Sequence, residues 1–194
     1  MPLPQTDTEQ KYTYADYLTW PDDERWEIID GVAYAMSPSP GTRHQRLSLS
    51  LSLQFGNYLK GKQCALFVAP FDVRLSERIG FTDEKITTVV QPDLLVVSDK
   101  TKLDDRGCSG TPDLVIEILS PSTAVRDIKL KFDLYQQHSV KEYWLIHPAE
   151  QTLLVYKLDK TGMYGAADRY AGNDQVSVSL LGELVIDLAE VFAE

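Results

Sequence analysis

Two apolar runs carry acids where a buried strand should carry none: Gln91-Pro92-Asp93-Leu94-Leu95-Val96-Val97 and Thr111-Pro112-Asp113-Leu114-Val115-Ile116-Glu117-Ile118-Leu119. An isolated carboxylate in an apolar interior is costly, so such groups pair, shift their pKa or hold a metal. Alternate side chains of a strand share a face, which sets Asp113, Val115, Glu117 and Leu119 on one side and Leu114, Ile116 and Ile118 on the other. Glu117 is thereby embedded mid-strand, whereas Asp93 stands at the mouth of its strand after Pro92. If the two strands are neighbours, their carboxylates can converge on one hard cation such as Mg²⁺. Asp93 and Asp113 also have a plainer reading as strand-start caps that satisfy local backbone groups, and for Asp113 this reading is favoured.

The segment after the second run supplies a cation. Ser120-Pro121-Ser122-Thr123 reads as a turn and N-cap opening a helix that runs to about His138. At about 100° per residue, Val125, Ile128, Phe132 and Tyr135 form one apolar arc, and Leu130 and Leu134 form a second. Arg126, Lys129, Asp133, Gln136 and Gln137 group on a polar arc. Lys131 falls between the apolar arcs, in a sector with Asp127 and His138, so its ammonium is expected to face the protein. It can form an internal ion pair with Asp127 at the i,i+4 spacing. It can instead point at a phosphate or an attacking water. A carboxylate pair on adjacent strands plus an inward lysine is the equipment of metal-assisted phosphodiester hydrolysis.

Other candidates carry a weaker signal. Glu27 lies on a hairpin arm, where a lone glutamate is commonly a solvated strand residue. His44 stands beside Arg43 and Arg46 at the start of a helix, where it can meet phosphate at the positive helix end or lie on the plain surface, the reading favoured here. His138 and His147 lack the partners a zinc site needs and are read as structural.

These residues must be positioned by a core, and 194 residues with 43% hydrophobic content suffice for one full domain. Thr13-Tyr14-Ala15-Asp16 has the outline of a capping box opening a short helix that Pro21 closes. Trp26–Ile29 and Val32–Met36 flank Asp30-Gly31 as a hairpin with a tight primed turn. A helix is expected from about Arg43 to Leu59, then one long strand, Ala65 to Leu75, bent at Pro70. Val89–Val97 and Leu114–Leu119 read as strands covered on both faces. Tyr143–Ile146 and Leu153–Leu158 are further strands, and the remainder is a β-rich tail ending in a short helix, Leu188–Phe192. Tyr164, Tyr170 and Val176 in that tail suggest exposed β surface and hence a symmetric homodimer.

A net charge of −10 argues against a general nucleic-acid binder, which carries a basic face to neutralise phosphates. Any nucleic-acid contact must be local and weak, through Arg43, Arg46, Arg126 and Lys129. No apolar run approaches a membrane helix and Met1–Gln10 is no signal-peptide core, so no membrane partner is expected and the cytoplasm is the expected compartment. Cys64 and Cys108 lack zinc-site spacing and read as reduced thiols.

Pro92-Asp93, Glu117 to Thr123, Asp127 with Lys131 and Tyr135, and Glu142-Tyr143-Trp144-Leu145-Ile146 together resemble the Uma-two family of restriction-endonuclease-like proteins, within the PD-(D/E)XK nuclease superfamily. The resemblance extends to Thr13–Tyr17 and Glu27–Gly31 and covers most of residues 12 to 190. It implies an α/β, restriction-endonuclease-like fold: a mixed sheet flanked by helices, with an additional N-terminal hairpin and C-terminal β-strands. A single domain is expected over residues 11–194, behind a flexible segment 1–10. The resemblance further implies Mg²⁺, with Mn²⁺ as a substitute, held by Asp93, Glu117 and the main-chain carbonyl of Ile118, with Glu27 as a third acid. Asp93, Glu117 and Lys131 are the implied catalytic residues, and His44, Arg43, Arg126 and Lys129 the implied substrate contacts. Leu119 occupies the third position of the (D/E)XK motif, so the lysine's part passes to Lys131 on the helix. The expected activity is Mg²⁺-dependent endonucleolytic cleavage, of DNA rather than RNA. The alternative is a nuclease-like fold retained as a non-catalytic protein-interaction module, for which the acidic balance and Leu119 speak.

Overall fold

The computed structural model describes residues 10–21, 23–36, 39–76, 80–120 and 126–193, with Arg126 as backbone alone. The expected flexible segment 1–10, apart from Gln10, and the expected cap at Ser122-Thr123 lie outside these residues. The capping box forms as expected: Thr13 accepts from the Asp16 amide, the Asp16 carboxylate accepts from the Thr13 amide, and α1 (Tyr14–Tyr17) starts there. The hairpin β1 (Trp26–Ile29) and β2 (Val32–Ala35) turns through Asp30 at φ 51° and Gly31 at φ 81°, the two positive φ values a primed turn requires.

There follow α2 (Thr42–Leu59), β3 (Ala65–Val68), β4 (Val73–Arg74), β5 (Val89–Val90), β6 (Leu94–Val97), β7 (Leu103–Asp104), β8 (Gly107–Ser109) and β9 (Leu114–Ile118). A wide π-type helical stretch, Arg126–Lys131, runs directly into α3 (Phe132–Gln137). The chain closes with β10 (Glu142–His147), β11 (Thr152–Lys157), β12 (Asp168–Ala171), β13 (Gln175–Ser177), β14 (Val185–Asp187) and α4 (Leu188–Phe192).

Two six-stranded mixed sheets result, ordered β2-β1-β5-β4-β8-β7 and β12-β11-β10-β9-β6-β3, beside the small ribbon β13-β14. On one face of the second sheet, Leu47, Leu51, Phe55 and Leu59 of α2 pack with Leu114, Ile116 and Ile118 of β9 and with the ribbon and α4. On the other face, Val115, Leu145 and Tyr143 meet Val73, Val90 and Cys108 of the first sheet and Leu134 and Tyr135 of α3. The alternation read along β9 is thus realised, with both faces covered.

Four expectations are corrected. Residues 65–75 form two strands rather than one bent strand, because the chain leaves the second sheet after Val68 and enters the first at Val73. The run Val89–Val97 likewise divides, and Gln91-Pro92-Asp93 carries the chain from the first sheet back to the second. Pro92 lacks a ladder donor and suits such a break. Ile128, expected on an apolar arc, is exposed, because the π winding over Arg126–Lys131 departs from the α-helical period on which that arc was drawn. Tyr164 and Val176 are buried and Tyr170 packs against the core, so the surface expected to drive self-association belongs to this chain's own interior. No helix among the described residues is long and apolar enough to cross a membrane.

Candidate active site

The second sheet aims its acids at one end. β6 and β9 pair antiparallel with Leu94 opposite Ile116, and continuing that register by one pair sets Asp93 opposite Glu117. There the Asp93 carboxylate takes the Ile118 amide at 2.7 Å, so Asp93 is tied to the strand that carries Glu117. The hairpin delivers Glu27, which is only 1% exposed and accepts from the Gln91 amide at 3.0 Å.

Lys131 reaches into the middle of this group. Its Nζ lies 2.8 Å from Glu27 Oε1, 2.9 Å from Glu117 Oε1 and 3.7 Å from Asp127 Oδ1. The i,i+4 pair with Asp127 therefore exists but is the longest of the three. Tyr135 donates to the same Glu117 oxygen at 2.9 Å, and Tyr143 donates to the Asp127 carbonyl at 2.9 Å, which fixes the helical stretch against β10. All of Glu27, Glu117, Asp127 and Lys131 are buried. They form the floor of a cavity of about 600 Å³ whose wall includes Asp93, His44, Arg43, Gln91 and Arg25.

One ammonium cannot balance this many carboxylates. Burial alone would lower the Lys131 pKa, but Glu117, Glu27 and Asp127 outweigh it, and the ammonium is held charged far above its ordinary range. Burial pushes the Glu117 carboxyl well above the usual range; Lys131 opposes the rise while Asp127, Asp93 and Glu27 add to it. The surplus of negative charge, on hard oxygen donors at the floor of a cleft, fits a divalent cation such as Mg²⁺. Among the described residues no three His, Cys, Asp or Glu side chains form a metal-holding group, and Mg²⁺ needs none: it commonly takes one or two carboxylates and completes its shell with water and phosphate.

His44 corrects the expectation of a surface histidine. It is half-buried at the start of α2, with Nε2 3.2 Å from Asp93 Oδ2 and a buried Nδ1 that has no hydrogen-bond partner among the described residues. Burial lowers its pKa, yet the Asp93 carboxylate more than compensates and the imidazole sits above its ordinary value. Glu27, for which a solvated strand position was the commoner reading, is fully inside. Arg43 is exposed on the cleft wall. Lys129 and Arg46 are exposed and lie outside the cleft lining, and the Arg126 side chain is outside the described residues. Asp113 is at the far end of β9, where it accepts from the Ser98 amide at 2.8 Å and pairs with Lys141 at 2.6 Å, as a strand-start cap should.

Sequence reasoning passed over Arg25 and Gln91. A signal was present for both: Arg25 and Glu27 are two apart at the start of a strand and share a face, and Gln91 precedes the proline at which the sheet changes.

Comparisons with known proteins bear on family and fold. The family model Uma2, described as "Putative restriction endonuclease", matches residues 14–189. The uncharacterized protein slr1290 of Synechocystis sp. is 26% identical over 175 residues, covering 89% of this chain and 87% of its own length. A crystal structure from Anabaena variabilis, described as a "putative nuclease belonging to DUF820", superposes with a TM-score of 0.73 at 20% identity, covering 94% of this chain and 98% of that one. That likeness shows the fold. The family match runs across nearly the whole chain and includes Glu27, Asp93, Glu117 and the helical stretch that carries Lys131, and the chain belongs to the Uma2 family.

Proposed function

We propose that the protein is a divalent-metal-dependent endonuclease that hydrolyses phosphodiester bonds, of DNA in preference to RNA. The observation that carries this reading is the meeting of Asp93, Glu117 and Lys131 in one cleft, with Lys131 Nζ 2.9 Å from Glu117 Oε1. Asp93, Glu117 and the Ile118 carbonyl would hold Mg²⁺ or Mn²⁺, with Glu27 as a further acid. When bound, the ion supplies polarisation of the phosphoryl oxygen and a more acidic water. Lys131 keeps a fixed positive charge beside the carboxylates, where it can stabilise negative charge growing on a phosphate. Tyr135 restrains Glu117 from behind. His44 and Arg43 face the cleft from α2 and are placed to meet the nucleic-acid backbone.

The clamping of Lys131 between Glu27 and Glu117 favours a second reading, in which the trio is a structural bolt and the fold an interaction module. Incubating the wild type and Glu117→Gln with duplex DNA, single-stranded DNA and RNA, with Mg²⁺, Mn²⁺ or EDTA, separates the two. Metal-dependent cleavage by the wild type that disappears in Glu117→Gln supports the nuclease. Absence of cleavage on every substrate leaves the module, and cleavage that persists in Glu117→Gln removes Glu117 from the chemistry.

A further inference from the structure

Arg25 precedes β1 and lies on the cleft wall. A half-buried guanidinium ordinarily meets a carboxylate, because desolvating a charge without compensation is costly. Arg25 meets an amide instead: its Nε and Nη2 donate to Gln91 Oε1 at 3.1 and 2.6 Å, and among the described residues the guanidinium has no other hydrogen-bond partner and no ion pair. Both bonds converge on one oxygen, so the rest of the fork is left to the cleft.

The orientation of Gln91 is fixed from behind. Its Nε2 donates to the Asp72 carboxylate at 2.8 Å and to the Tyr17 hydroxyl at 3.0 Å. Asp72 is itself held by the Tyr14 and Tyr17 hydroxyls. With the amide nitrogen committed to these acceptors, the carbonyl must face Arg25. Asp72 and Gln91 come from two of the segments that cross between the sheets, 69–72 and 91–93, so this scaffold is anchored where strands of both sheets begin and end. It aims the guanidinium while leaving its charge unneutralised, and a planar fork with open N–H groups matches a phosphate.

We propose that Arg25 is an anion clamp of the cleft, holding a backbone phosphate of the nucleic acid, with Gln91 as its positioning residue. The inference rests on the nuclease reading for the identity of the substrate but not on the chemistry at Glu117. It is tested by titrating a fluorescein-labelled short duplex DNA, and a single-stranded RNA of the same sequence, into the full chain in Ca²⁺ buffer at several salt concentrations. Arg25→Met keeps the apolar stem and removes the charge. It is expected to weaken binding about tenfold at low salt and to reduce the slope of log affinity against log salt by roughly 0.9 for the duplex and roughly 0.7 for the single strand, the loss of one phosphate contact. Arg25→Lys should restore the slope but not the whole affinity, because a point charge lacks the fork. Lys160→Ala, an equal charge loss on an exposed turn at the opposite end of the second sheet, should change neither. An unchanged slope in Arg25→Met, an equal loss in Lys160→Ala, or no binding of either probe by the wild type overturns the clamp. If Arg25→Met fails to fold, Arg25→Lys decides, and full wild-type affinity in that variant overturns it. Metal-dependent cleavage is scored separately: the expected binding pattern without any cleavage refutes the nuclease and leaves the clamp standing.

Discussion

Glu27 of the first sheet and Glu117 of the second are bridged by a single ammonium, with Lys131 Nζ 2.8 Å from one and 2.9 Å from the other. Two buried carboxylates this close repel unless a cation lies between them, so the Lys131 ammonium stabilises this contact.

Removing it should therefore act twice. Lys131→Ala is expected to lower metal-dependent cleavage about a hundredfold or more, the scale seen for one electrostatic stabiliser. It should also destabilise by about 3–5 kcal/mol, because it leaves buried charges unpaired. The double variant Glu27→Gln/Lys131→Met should recover much of the stability and none of the activity. Lys129→Ala, exposed and outside the cleft, should cost far less in both assays. Equal cleavage by the two single alanine variants would count against Lys131 as a stabiliser of the reaction.

Metal affinity should depend on Asp93. Calorimetric titration of Mn²⁺ into the wild type and into Asp93→Ala is expected to show binding in the first and a marked loss in the second. The same heat in both proteins removes Asp93 from the metal site.

Asp113 offers a control within the same strand. Burial raises its pKa, but the Lys141 ammonium and the Ser98 amide outweigh this and hold the carboxyl below its usual range. The stabilisation is present above the unfolded-state value and is lost as pH falls through the depressed folded one. Asp113→Asn should therefore flatten the fall in melting temperature at acid pH and leave cleavage unchanged, since Asp113 faces the other end of β9.

At the alkaline end the relevant group is Tyr14, whose phenol is pushed up to about 12 by burial and by the neighbouring Asp72 carboxylate. A raised folded-state pKa gives stability that is intact below the unfolded value near 10 and is lost as pH climbs to about 12. Melting followed across that range should decline more steeply in the wild type than in Tyr14→Phe. Parallel declines would mean that Tyr14 titrates alike in the folded and unfolded chain.

Much of the site could be read from the residues alone, and the reason is geometric. A glutamate at a mid-strand position flanked by Val115, Ile116 and Ile118 cannot avoid the interior, so period-2 alternation was enough to mark Glu117. Lys131 was marked by the helical sector it shares with Asp127, and both periodicities are local. What could not be read depends on contacts between distant segments. That Ala65–Leu75 and Val89–Val97 each change sheets is decided by tertiary packing, and apolar runs look the same on either sheet. Glu27 and His44 sit on elements whose sequence permits either a wet or a dry environment, and only the docking of the hairpin and of α2 against β6 and β9 decides it. Ile128 was misplaced because no residue type signals a π turn.

The cleft floor straddles a seam: Glu27 belongs to one sheet, Glu117 to the other, and residues 69–72 and 91–93 are two of the segments by which the chain crosses between them. A ligand that drew Lys131 toward one carboxylate would slacken the joint on the other side. The carboxylates that would hold an ion thus also hold the two sheets together, and the cost of moving Lys131 falls on that joint.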